Sequence, residues 1–137
     1  KYVTDFPVPA LLGRKDVLCM PHIGASTDEA EENCAMMAAD QLMDYLENGN
    51  IRNSVNFPNT KMVRNGGYRI TFCNENVPKV LGHVLSLLAD QAMNVIDMVN
   101  QSRDGIAYNI IDVATQPTND LLKAIADVEG VVTVRSV

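Results

Sequence analysis

The sequence predicts an α/β segment followed by a small α+β domain. Three observations carry this. A short apolar run, Asp16 to Met20, stops at Pro21 just before an amphipathic helix. A glycine-rich break follows at Asn65-Gly66-Gly67. Beyond it, strand and helix periods alternate in the order β-α-β-β-α-β.

Composition sets the frame. A chain of 137 residues fits one ordinary domain or two small ones. With 47% hydrophobic and 20% charged residues it is globular in type, not disordered or low-complexity. No apolar run approaches the roughly 18 residues of a spanning helix, so no membrane helix is expected. Eleven Lys and Arg against 17 Asp and Glu give a net charge of −6 without a basic cluster. That argues against nucleic acid or an anionic membrane as partner. The three cysteines, Cys19, Cys34 and Cys73, form no C-x-x-C pair, which points to a reducing cytosol. Cys19 and Cys34 are expected to be buried and inert.

After Lys1, Tyr2-Val3-Thr4-Asp5-Phe6 reads as a short strand and not as a signal peptide, and a chain that opens inside a strand is expected to be a piece of something longer. Pro7, Pro9 and Gly13 break the segment. Asp16 to Met20 reads as a strand buried on both faces, as in parallel sheets. Ser26 and Glu29 have capping-box spacing, and Asp28 and Glu29 put negative charge on the first helical turn. Ala30, Cys34, Met37, Ala38, Leu42 and Tyr45 recur at helical period, and Gly49 suits the left-handed cap. Ser54 to Pro58 is a short extended piece, and 59–67 reads as a linker, so the predicted boundaries are 1–58, 59–67 and 68–137.

The last 70 residues justify themselves element by element. Tyr68 to Cys73 is a strand. Pro78 to Gln91 is a helix with Val80, Leu81, Val84, Leu85, Leu87 and Leu88 inward. Val95 to Val99 is a strand, Arg103-Asp104-Gly105 a hairpin turn, and Ile106 to Ala114 the next strand. Asn119 to Val128 is a helix with Leu121, Leu122, Ile125 and Val128 inward; Gly130 ends it, and Val131 to Val137 is the last strand. This is the ferredoxin-like arrangement.

Of the two histidines, His83 sits within a helix and reads as a surface or partly packed residue. His22 directly follows a buried-type strand and precedes a helix, where ligands of parallel sheets bind. It could serve as an acid/base near neutral pH or simply bond a loop carbonyl. Gly24 could admit a ligand to the backbone or serve a turn.

Pro21-His22-Ile23-Gly24-Ala25-Ser26-Thr27, then Glu29, Glu31 and Asn33 on a helix, then Asn53-Ser54-Val55-Asn56-Phe57-Pro58, resembles the D-isomer-specific 2-hydroxyacid dehydrogenase family. Asn74-Glu75-Asn76-Val77-Pro78-Lys79-Val80-Leu81 resembles the opening of an ACT regulatory domain, as in the phosphoglycerate-oxidising branch. The resemblance implies the C-terminal part of a Rossmann-type enzyme followed by a ferredoxin-like ACT domain. It implies NAD as cofactor and oxidation of 3-phosphoglycerate to 3-phosphohydroxypyruvate in serine biosynthesis. By it, His22 matches the catalytic acid/base; Asp5 matches an acidic residue near the nicotinamide carboxamide; His22, Ile23, Gly24 and Ala25 match the loop along the nicotinamide. The substrate-binding Arg and the Glu that orients the His have no counterpart here, and no G-x-G-x-x-G occurs. The isolated chain is therefore expected to be inactive and not to bind NAD.

ACT domains take small amino acids where the first strand's loop meets the first helix, commonly between two copies. The resemblance places effector contacts at Asn74, Asn76 and Asn94, with L-serine as the implied effector and a homo-oligomer as the implied assembly. The alternative for each is local: Asn76 as helix cap, Asn74 and Asn94 as turn formers. The sequence departs from the family in having Asn74 where some members have His, and Lys79 where Gly usually follows the Pro. Two other readings stand beside the enzyme piece: a free-standing amino-acid sensor and a purely structural module. Exposed Val17, Leu18, Met36, Met37 and Leu46 are expected to drive self-association.

Overall fold

The computed structural model describes residues 1–137. They divide into two compact units, Lys1–Ala39 and Asp40–Val137. The contacts part between Ala39 and Asp40, and Ile51 and Met62 pack onto the second unit's sheet.

In the first unit, β1 (Tyr2–Thr4) pairs in parallel with β2 (Val17–Cys19), Tyr2 facing Val17 and Thr4 facing Cys19. A single 3-10 turn, Pro9–Leu11, lies between them. β2 is not buried on both faces: Val17 and Cys19 are half-buried and Leu18 is exposed. Two short strands do not amount to a doubly wound sheet, and the Rossmann-type portion of the expected fold is not seen in this chain.

The helix α1 (Asp28–Asn48) begins one step later than the capping box predicted. Thr27, not Ser26, caps it, its Oγ1 accepting the Ala30 N–H at 3.2 Å. Asp28, Glu29 and Glu31 occupy the first turn, where the helix dipole favours them. The helix ends at Gly49, whose N–H donates to Tyr45 O at 3.0 Å with φ at +71°. A Cβ there would stand 2.4 Å from Thr71 Cγ2, so glycine is needed both for φ and for the close approach. Cys34 is exposed and Cys19 half-buried, against the expectation of buried thiols; only Cys73 is buried.

The second unit contains the predicted β-α-β-β-α-β order. β3 (Tyr68–Glu75), α2 (Val80–Asp90), β4 (Val95–Arg103), β5 (Ile106–Val113), α3 (Asn119–Ala126) and β6 (Val131–Ser136) follow one another. The sheet is antiparallel in the order β4-β5-β3-β6. One face carries α2 and α3 over Ile70, Phe72, Ile111 and Val113, which are fully buried, with Val84, Leu88, Leu121 and Ile125 from the helices. Thr118 caps α3, its Oγ1 accepting from Leu121 N.

The opposite face is also covered. A strap running from Gly49 to Met62 lays Ile51 and Met62 on Cys73, Tyr108 and Ile110. It is pinned by an isolated bridge between Ile51 and Thr60 and by the Tyr108 hydroxyl, which donates to Gly49 O at 2.8 Å. Arg69 is fully buried beneath it. Its Nε and Nη2 donate to both carboxylate oxygens of Asp112 at 2.6 and 2.8 Å, and its Nη1 donates to Asn48 O and Met62 O at 2.8 and 3.0 Å. Part of the stretch expected to be a linker is thus core: Thr60 and Met62 are 1% and 7% exposed.

Candidate functional site

Two places in the molecule carry the residues singled out by sequence. The first is in the unit of residues 1–39. β2 delivers Pro21 and His22 at its carboxyl end, and β1 delivers Asp5 just past Thr4, because the two strands are parallel and in register. His22 Nδ1 lies 2.8 Å from Asp5 Oδ2. A carboxylate only accepts, so the Nδ1–H is the donor, and in the neutral imidazole Nε2 keeps its lone pair. The Phe6 ring sits 4.4 Å from the imidazole, centroid to centroid and tilted, and limits its rotation. Phe6 N–H in turn donates to Thr4 Oγ1 at 3.1 Å, which turns the chain after β1. Both side chains of the pair are half-exposed. The arrangement is an oriented imidazole with one nitrogen facing outward, able to take or give a proton.

Ile23, Gly24 and Ala25 follow in an exposed turn closed by Ser26 N–H donating to Ile23 O at 3.0 Å. A Cβ on Gly24 would meet nothing within 4 Å. No glycine-rich turn links a strand to a helix in this unit, so the chain's own residues do not fit a whole dinucleotide. Asp5 stands on the imidazole rather than free.

The second place is the corner between β3 and α2. Lys79 adopts φ 80°, ψ −26°, a left-handed conformation, directly before Val80 begins the helix. This is why α2 starts at Val80 and not at Pro78. A cavity of about 190 Å3 lies here, lined by Glu75, Val77, Lys79, His83 and Glu129 among others. Sequence reasoning does not bring Glu75, His83 and Glu129 together, because nothing in their spacing links the β3 end, α2 and the α3–β6 turn.

The three predicted effector asparagines do not meet within one chain. Asn76 is exposed at the β3–α2 corner; it caps no helix, and its N–H donates to Gly105 O at 2.8 Å. Asn74 is 3% exposed, and its amide is committed: Nδ2 donates to Glu75 O at 2.6 Å, and Oδ1 accepts from Asn109 Nδ2 at 2.7 Å. Asn109, fully buried, accepts from Asn100 Nδ2 at 2.5 Å, so a chain of three amides crosses the sheet. Asn94 stands at the other end. It precedes Val95, which pairs with Val113, as Tyr68 does, whereas Asn74 pairs with Ala107. The separation along β3 is roughly 20 Å at the usual strand rise. The register of antiparallel strands, invisible to motif spacing, is the reason.

No group of three or more His, Cys, Asp or Glu side chains is placed to hold a metal ion. No helix is long and apolar enough to cross a membrane.

Comparison with known proteins finds D-3-phosphoglycerate dehydrogenases of several organisms. The chain is 37% identical over 98 residues to D-3-phosphoglycerate dehydrogenase of Escherichia coli (strain K12), covering 72% of this chain and 24% of that one. To the enzyme of that name from Haemophilus influenzae it is 31% identical over 121 residues, covering 88% and 30%. To that of Dictyostelium discoideum it is 30% identical over 121 residues, covering 88% and 29%. The chain thus resembles D-3-phosphoglycerate dehydrogenases and spans less than a third of their length, a C-terminal part. No family model matches it. Among solved structures, the ACT domain from GTP pyrophosphokinase of Chlorobium tepidum aligns with 51% of this chain and 95% of its own at TM-score 0.45 and 19% identity. An ACT domain protein from Streptococcus pneumoniae aligns with 52% and 91% at TM-score 0.42 and 14% identity.

Proposed function

We propose that this chain, which resembles a C-terminal part of D-3-phosphoglycerate dehydrogenases, carries the acid/base histidine and the regulatory tail of such an enzyme. The contact of Asp5 with His22 Nδ1 at 2.8 Å carries the reading. The reaction is NAD-dependent oxidation of 3-phosphoglycerate to 3-phosphohydroxypyruvate, in the serine-forming metabolism of the cytosol. His22 Nε2 takes the proton of the substrate's 2-hydroxyl as the hydride leaves the same carbon, and returns it to the keto oxygen in reverse. Asp5 fixes the tautomer that makes Nε2 the base and steadies the imidazolium that forms; this supports assigning it to orientation of His22. Ile23, Gly24 and Ala25, with His22, are assigned to the loop along the nicotinamide. The cofactor is held chiefly by residues of the longer protein.

The tail, residues 68–137, is read as an ACT-type module that binds L-serine at the β3–α2 corner and joins copies of the protein. The free helix-entry backbone at Lys79 and the exposed Asn76 support a carboxylate and ammonium site there. Asn94, at the far end of the sheet, takes part only if a second copy supplies it, so the homo-oligomer and the effector site stand or fall together.

In the full-length protein, His22→Gln should lower kcat on the order of 100- to 10,000-fold with 3-phosphoglycerate binding retained. Turnover equal to the parent would overturn the assignment. For the tail, a melting shift with L-serine and none with L-alanine is expected; equal or absent shifts would leave residues 68–137 a structural module.

A further inference from the structure

The Asn53–Pro58 motif helps to carry the family resemblance but has no role in the proposed reaction, and it borders an open cavity. A cavity of about 480 Å3 lies between this loop and the end of β4, lined by Asn53, Ser54, Phe57, Asn59, Ser102 and Arg103 among others. We propose that it is a binding site for a small organic anion bearing a carboxylate or phosphate group, with Arg103 as the charged anchor. The proposal is independent of the dehydrogenase reading and of the β3–α2 corner.

Charge comes first. No acidic side chain lines the cavity, in a chain whose net charge is −6. The chain's ion pairs involve Arg14, His22, Arg52 and Arg69, and none involves Arg103. Asp104 is adjacent in sequence, but it occupies the hairpin turn at φ 54° and does not line the space. The guanidinium has five N–H donors, and its one hydrogen bond is a long one, 3.4 Å from Nη1 to Ser54 O. Its fork is therefore open to a two-oxygen acceptor, the geometry in which Arg binds carboxylate and phosphate.

The surrounding polar groups are biased towards donors. Asn59 Oδ1 already accepts the Asn53 N–H at 2.9 Å, which leaves the Asn59 Nδ2 hydrogens unspent. The Ser102 hydroxyl and the Asn53 amide add more. The loop is held by its own hydrogen bonds and by Phe57 packing. Asn53 sits at φ 54°, Ser54 Oγ donates to Asn56 Oδ1 and accepts Phe57 N–H, both at 3.1 Å, and Phe57 packs edge-on against Tyr108 at 6.3 Å. Such order lowers the entropy lost on binding. Phe57 offers an apolar wall for a short carbon body, so a bare inorganic ion uses only part of the site.

The test is an amide-resonance titration of the chain with inorganic phosphate in one arm and succinate in the other, at fixed ionic strength in sodium chloride. Saturable shifts confined to 53–59 and 102–103 are expected in at least one arm. Arg103→Gln should weaken that affinity at least tenfold. Asn59→Asp, which keeps the acceptor for Asn53 and adds a negative charge, should weaken it similarly, whereas Lys61→Gln, outside the cavity, should not. No saturable shift in either arm, shifts matched by chloride alone, or binding that survives both cavity substitutions would overturn the proposal. Dispersed spectra of each variant separate loss of binding from loss of fold.

Discussion

Arg69 and Asp112 face each other directly across the β3–β5 ladder, and their side chains meet in a two-pronged ion pair that is almost completely buried. The pair lies on the sheet face away from the helices, where a charge would normally meet water. It is tolerated because every donor used finds an acceptor: two carboxylate oxygens and the carbonyls of Asn48 and Met62. One side chain thereby fastens both ends of the strap to the sheet.

Breaking that pair on one side should be costly. Arg69→Met leaves the Asp112 carboxylate and two strap carbonyls buried without partners, and a loss of about 3–5 kcal/mol is expected. Asp112→Asn, which keeps one acceptor, should cost less. Replacing both residues by apolar ones should recover much of the loss. Chemical denaturation of the single and double variants measures the three values; additive losses would show that the two side chains do not act as a unit.

Lys79 offers the opposite sign. A non-glycine residue in the left-handed region costs about 1–2 kcal/mol, and Lys79 has no hydrogen bond from its side chain to offset this. Lys79→Gly should therefore raise stability by about 0.5–1 kcal/mol after the extra freedom of the unfolded chain is deducted. Lys79→Ala should change it little. A rise in Tm of several degrees for glycine alone is the expected result; a fall would mean that the ammonium contributes more than the backbone loses.

Most of the second unit was legible because its signals are local. The alternation of β3 and β5, the apolar stripe of α2 and the Asp104-Gly105 turn each specify one element, and together they specify the order. The strap was not legible. Ile51 and Met62 are isolated apolar residues among Asn, Pro and Thr, with no period to announce burial, and Arg69 reads as a surface charge until its partner 43 positions away is known. The candidate sites divide in the same way. His22 announces itself by position and motif, whereas its contact with the Asp5 carboxylate, 17 residues earlier, becomes visible only in the parallel register of β1 and β2. Asn94 joins Asn74 and Asn76 only through the family resemblance, which puts the effector between two copies; the strand register separates it from them within one chain.

Tyr108 should make the fold sensitive to alkali. Burial, the largest effect, raises its phenol above the usual value near 10, while its hydroxyl donates to Gly49 O. The folded state therefore prefers the neutral ring more strongly than the unfolded chain does. That stability is fully present below the unfolded value and is lost as pH rises through the folded one. Melting temperatures between pH 9 and 11.5 should fall more steeply for the parent than for Tyr108→Phe, which is less stable at pH 7 by about 1 kcal/mol for the lost hydrogen bond. Parallel curves would show that the hydroxyl does not titrate against the fold.

The Asp5–His22 contact can be tested without turnover. A neutral imidazole carries its proton on the nitrogen whose hydrogen bond is the stronger, and here Nδ1 has the carboxylate while Nε2 has nothing. The ring nitrogens of His22 should therefore show the Nδ1–H tautomer in the chain at neutral pH. Asp5→Asn presents an amide that can either accept or donate, so the preference should weaken, and Asp5→Ala should remove it; His83, on another element, should report no change in either variant. In the full-length protein the same substitutions should lower kcat more than they raise KM, since orientation of the base matters to proton transfer and little to substrate binding. If the tautomer shifts and kcat does not, Asp5 holds the ring without serving the reaction. If neither moves, the contact is incidental and the proton relay must be sought elsewhere.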